Sequence, residues 1–248
     1  VNAIFAAAPN IELPQFLNLP NVYAALALIA VSVWLASFKR SSESTKRIIR
    51  YVLAIALWVD EIIWHVWNFR QGQWTVQTML PLHVCSVMIW LAGFMLIFKN
   101  YRIYEFGYFL GLGAATQILL TSAPSLELFI QYRYYQLYIS HGLLIISVVY
   151  MTTVEGFRPT WGSFYRAVIG TTLYLVLIFR INFLLDSNYM FLAHKPEEFA
   201  SLLDILPDWP FYILYMEALG ILTFFLSYLP FAIKDWRAST NRLNVVRN

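Results

Sequence analysis

The chain has 248 residues, of which 60% are apolar and only 12% charged, with a mean hydropathy of +0.60. Soluble domains carry about a quarter of their residues as charges, so this balance excludes both a disordered chain and an ordinary soluble domain. The formal charge of +3 is small, and the single cysteine, Cys85, excludes an intrachain disulfide.

A helix needs about 20 apolar residues to cross the hydrocarbon of a bilayer. Seven such runs follow in chain order, over residues 22–38, 49–67, 79–98, 104–121, 134–151, 163–185 and 210–233. The runs are continuous rather than alternating, which excludes a β-barrel and leaves an all-α polytopic bundle. No polar linker divides them, so a single transmembrane domain over 1–248 is expected. No basic segment with a small-residue cleavage site opens the chain, so the first run is expected to be a retained span. Gly107, Gly111 and Gly113 cluster in the fourth run and are expected to permit close helix packing.

Orientation follows from Lys and Arg. Lys39, Arg40, Lys46, Arg47 and Arg50 fill the first loop, Lys99 and Arg102 the third, and Arg158 and Arg166 the fifth. Lys234, Arg237, Arg242 and Arg247 fill the tail. The opposite side has only Arg70, Arg133 and Lys195. The positive-inside rule then predicts an outer N-terminus and a cytoplasmic C-terminus. Trp67, Trp74, Tyr132, Tyr135, Trp209 and Tyr212 mark the outer boundary, as does a long outer loop over 186–209. A loop of that length is expected to be functional.

Polar residues inside the spans carry the functional signal, because charge in hydrocarbon is costly and normally faces a cavity. Asp60, Glu61 and His65 lie in the second run, His83 and Cys85 in the third, and Gln117 in the fourth. His141 lies in the fifth, Arg180 and Asn182 in the sixth, and Glu217 in the seventh. With a rise of about 1.5 Å per residue, Glu61, His83, Gln117, His141, Arg180 and Glu217 fall roughly 6–10 Å below the outer boundary. Six spans thus predict one polar layer in the outer half of the membrane, with Arg180 expected within reach of Glu61, Asp60 or Glu217. Glu61 and His65, four apart, share a helical face, whereas His83 and Cys85, two apart, are expected on nearly opposite faces.

The stretch Leu80-Pro81-Leu82-His83-Val84-Cys85-Ser86 resembles the LPLHxCS signature of the YwaF-like conserved integral membrane proteins of bacteria. Ser140-His141-Gly142 and Asn188-Tyr189-Met190-Phe191-Leu192, followed by Lys195-Pro196, fit the same pattern. Ser201-Leu202-Leu203-Asp204 with Trp209-Pro210 and Tyr212 extends it. That family is distantly similar to eukaryotic multi-span proteins implicated in acyl transfer or hydrolysis on lipids, which use a His with a Thr or Cys nucleophile. The resemblance implies that His83 and His141 are the two intramembrane histidines, and that the location is a bacterial plasma membrane.

Three functions fit these residues. The first is an intramembrane enzyme acting on acyl groups of outer-leaflet lipids. His83 and His141 would act as acid or base and Cys85 as nucleophile, with Ser86 and Ser140 as rivals. Glu61 would orient an imidazole; Arg180, Gln117 and Glu217 would bind substrate, and Asn188 and Tyr189 would cap the cavity. The second is a metal-dependent lipid hydrolase, with zinc held by His65, His83, His141 and Glu61. The third is a transporter or receptor that uses the cavity for binding. Membrane lipids are the expected partners. Nucleic acid is not, because the basic residues follow topology rather than a groove.

Overall fold

A computed structural model describes residues 19–121, 132–195 and 202–247 of the chain. The described residues contain no strand and form seven helical rods. Helix α1 spans Leu19–Ala36, α2 Glu43–Arg70 and α3 Val84–Phe98. The fourth rod is composite: α4 (Tyr101–Phe106) passes through a π-helical stretch, Gly107–Gly111, into α5 (Leu112–Thr121). Helices α6 (Tyr132–Thr153), α7 (Trp161–Leu185) and α8 (Phe211–Arg247) complete the bundle. Four of these rods, within α1, α6, α7 and α8, are long and apolar enough by themselves to cross a membrane. Helix α2 is continuous but carries Asp60 and Glu61 in its apolar run, and α3 is short.

Local chemistry sets the helix ends. The Ser42 hydroxyl accepts from the Thr45 N–H and starts α2. Asn100 does the same for Ile103 at α4. Thr160 and Ser163 form a reciprocal capping box at α7. Lys99 and Asp186 close α3 and α7 in the left-handed conformation.

Helix α6 is the central post. Of its apolar window 61% is buried, against 11–17% in α1, α7 and α8, whose outward faces are left for lipid. It packs on α1, α2, α3, α5 and the π-helical stretch. The expected role of the glycine cluster holds at this contact. A Cβ at Gly111 would meet Leu144 at 3.3 Å, and one at Gly107 would meet Val148 at 3.4 Å. The same segment is also π-helical, an irregularity that recurs near functional sites.

The third run departs from expectation. Residues 79–83 are turns, and α3 begins only at Val84. Pro81 lacks an N–H and drives its predecessor out of the helical region, so the helix cannot run back through it. Fifteen residues give α3 about 22 Å of rise, short of the roughly 30 Å of hydrocarbon. The chain over residues 71–83, between α2 and α3, contains no helix.

Candidate functional site

Irregular backbone at membrane depth is stable only where protein satisfies its polar groups. Here two tyrosines do so. The Tyr189 hydroxyl accepts from Leu80 N–H at 2.8 Å and donates to Val76 O at 2.7 Å, and the Tyr174 hydroxyl donates to Leu82 O at 2.8 Å. Tyr189 is 1% exposed. Burial raises its phenol above the usual range, so the hydroxyl keeps the proton it donates to Val76 through neutral pH. It comes from the strap that follows α7, a short 3₁₀ turn over Tyr189–Phe191. Asn182 holds that strap. Its Oδ1 accepts from Tyr189 N–H at 2.8 Å, and its Nδ2 donates to Tyr189 O at 2.8 Å. Tyr189→Phe leaves Leu80 N–H and Val76 O without this partner and is expected to cost about 1–3 kcal/mol. A thermal unfolding curve in detergent measures it, and an unchanged midpoint would remove Tyr189 as the anchor.

The strap is strained as well as anchored. Met190 and Phe191 both sit at positive φ, 58° and 55°, a conformation that non-glycine residues hold only when the surroundings enforce it. The strain aims the Met190 N–H at Nδ1 of His83, 3.2 Å away, while the His83 ring packs against Tyr189 and Phe191. His83 is thus the residue before α3 rather than part of it, and the expected helical phase between His83 and Cys85 does not apply. Because Nδ1 accepts a backbone N–H, the neutral ring carries its proton on Nε2 and presents a donor there.

His141 has the opposite tautomer. Its Nδ1 lies 2.8 Å from Leu137 O and 3.0 Å from the Ser140 hydroxyl. A carbonyl only accepts, so Nδ1 holds the proton and Nε2 holds the lone pair. The ring is buried in α6 on the face of Leu144, Ile145 and Val148. His65 is occupied differently: Trp74 Nε1 donates to its Nδ1 at 3.0 Å, and its Nε2 lies 3.6 Å from Glu61 Oε1. Glu61, 3% exposed, is within electrostatic reach of Cys85.

Cys85 occupies the first turn of α3, one turn from the buried Met88 and Ile89. The first intrahelical bond there runs from Val87 N–H to His83 O, so the N–H groups of Val84, Cys85 and Ser86 precede the ladder. Helices α2, α3 and α6 pack mutually. Glu61 on α2 and His141 on α6 are buried, and Cys85 is half-buried on α3, which packs against both helices.

Other expected site residues lie elsewhere. Arg180 is exposed on the outer flank of α7 beside Phe183 and Leu184, and among the described residues it pairs with no carboxylate. Its position a half-turn from the buried Asn182 turns it away from the bundle. The carboxylates expected to receive it are engaged: Asp60 accepts from Gln136 Nε2 at 3.3 Å, and Glu217 accepts from the Thr172 hydroxyl. Gln117 is exposed on α5. Asn188 braces its own loop, with Oδ1 accepting from Ala193 and His194 N–H at 3.0 and 3.2 Å. The part of the outer loop over 196–201, with Glu197 and Glu198, lies outside the described residues. Among the described residues no group of three or more His, Cys, Asp or Glu comes close enough to hold a metal ion. His65, His83, His141 and Glu61 thus do not gather as a zinc site would require. Each imidazole is turned instead toward its own local partner.

Sequence reasoning missed a second polar system at the other end of the bundle. Glu105, fully buried, accepts from Ser163 at 2.6 Å and pairs with Arg166 and Arg102. Glu155 pairs with Arg50 and Lys99, and Asp235 with Arg158. The readable signal was three acids set among the basic residues used for orientation.

Apolar rods with lipid-exposed flanks around a buried polar centre define an α-helical integral membrane protein. The chain belongs to the TMEM164 family, which it matches over residues 12–228. No curated protein and no solved structure matches it.

Proposed function

We propose that the protein is an intramembrane enzyme that moves or hydrolyses acyl groups of outer-leaflet lipids, with Cys85 as nucleophile and His141 as base. The observation that carries this reading is the placement of Cys85. It stands half-buried in the first turn of α3, which packs against α2 and α6, the helices that carry the buried Glu61 and His141.

The chemistry follows from the tautomers. His141 Nε2 takes the thiol proton as Cys85 Sγ attacks the ester carbonyl. His83 Nε2–H and the first N–H groups of α3 are suited to the developing oxyanion. Collapse breaks the ester C–O bond, and His141 returns the proton to the leaving alcohol. The acyl thioester then passes its acyl group to an acceptor hydroxyl, or to water, and Cys85 is restored. The resemblance of the LPLHVCS stretch to the YwaF-like family, itself distantly similar to proteins implicated in acyl transfer or hydrolysis on lipids, supports the same reading, with a bacterial plasma membrane and an outer N-terminus as its setting.

The test is lipid analysis of cells expressing wild type and Cys85→Ala at equal levels, with each purified protein incubated with an isotope-labelled phospholipid. A change in acyl pattern that needs Cys85 supports the proposal. Identical lipids in both, with no turnover by the wild type, would reassign the polar centre to transport or reception.

A further inference from the structure

We propose that the flank of α7 around Arg180 is a docking site for the phosphate of a glycerophospholipid. Arg180 is the sole charge in α7 between Arg166 and Asp186, and its neighbours Phe179, Phe183 and Leu184 are exposed at 47%, 86% and 78%. Such a band belongs against lipid chains. A bare guanidinium there is strongly unfavourable unless an anion meets it, and among the described residues none does.

Height supplies that anion. Helix α7 has 25 residues, about 37 Å of rise, and so exceeds the hydrocarbon by several ångström. Arg180 stands five residues before its end at Leu185, about 7.5 Å along the axis. An arginine stem spans the remaining distance to headgroup level, where its planar fork matches two phosphate oxygens. The four residues Phe179, Arg180, Phe183 and Leu184 also line a shallow hollow of about 300 Å³. Its wall is wholly apolar, so Arg180 lines it with its aliphatic stem and the guanidinium lies at its rim. That suits a ligand with one anionic point and a long apolar body.

The opposite face of the same two turns carries Asn182, which holds the Tyr189 strap over His83. A phospholipid on the Arg180 flank thus sits against the helix that fixes the site's cover. The docking itself does not require the reaction proposed above.

The test uses the full chain with Cys85→Ala, so that no turnover consumes the lipid. The purified protein in detergent is given phosphatidylglycerol or diacylglycerol of the same chains, and bound lipid is read by native mass spectrometry. Phosphatidylglycerol is expected to be retained about tenfold better, with Arg180→Met abolishing the preference and Arg180→Lys keeping part of it. Equal retention of diacylglycerol, or an unchanged preference in Arg180→Met, overturns the assignment. Displacement of the lipid by millimolar inorganic phosphate would overturn it in favour of a free-anion site. A dimer that Arg180→Met dissociates would overturn it in favour of a second copy of the chain. Because binding is read without catalysis, failure of the acyl-transfer reading leaves this result interpretable.

Discussion

Under the proposed reaction, Cys85→Ala is expected to lower acyl turnover by on the order of 10⁴-fold or more, because it removes the atom that would form the intermediate. His141→Ala removes only the proton carrier, so a loss of about 10²–10⁴-fold is expected. The double variant should be no slower than Cys85→Ala, since two residues that act as a unit do not lose independently. His83→Ala tests the donor: loss of an oxyanion contact costs about 10²–10³-fold, with little change in lipid binding. Turnover of a labelled phospholipid by purified protein measures all four, with helical circular dichroism as the control for folding. Full activity in Cys85→Ala would remove the thiol and move the search to Ser86 and Ser140. Additive losses in the double variant would show that His141 does not serve Cys85.

The second large effect concerns stability. Glu155 and Arg50 have side chains 2% and 7% exposed and pair directly, with Lys99 as a second cation on the same carboxylate. Glu155→Ala leaves a buried guanidinium without its countercharge, and the expected loss is about 3–5 kcal/mol. Glu155 follows α6, Arg50 belongs to α2 and Lys99 caps α3, so the loss loosens three elements at once. Replacing both Arg50 and Glu155 by apolar residues of similar volume should recover most of it, because no charge is then stranded. Denaturant titration in detergent reads both variants. A single variant as stable as wild type would show that water reaches this pair.

The rods were legible because hydrophobic length is a local property. The predicted run 163–185 and the observed Trp161–Leu185 differ by two residues at one end. The start of α3 was misread for a related reason. Hydropathy counts Met79, Leu80 and Leu82 as span, while Pro81 acts on the backbone alone. The polar residues were legible, but their directions were not. Depth predicted Arg180 into the layer, yet rotation about α7 decides its facing, and Asn182 took the inward side. The grip of Met190 on His83 joins residues 107 positions apart, which no spacing rule reaches. Glu105 and Glu155 were passed over because the orientation rule counts cations and gives acids no role.

The short α3 also bears on the thickness of the membrane the protein occupies. A helix of about 22 Å beside one of about 42 Å leaves the bundle lower on one side than on the other. Where α3 meets lipid at Phe94 and Phe98, each ångström of mismatch with the hydrocarbon costs a fraction of a kcal/mol. A thin bilayer fits this outline with little deformation, and a thick, sterol-rich one does not.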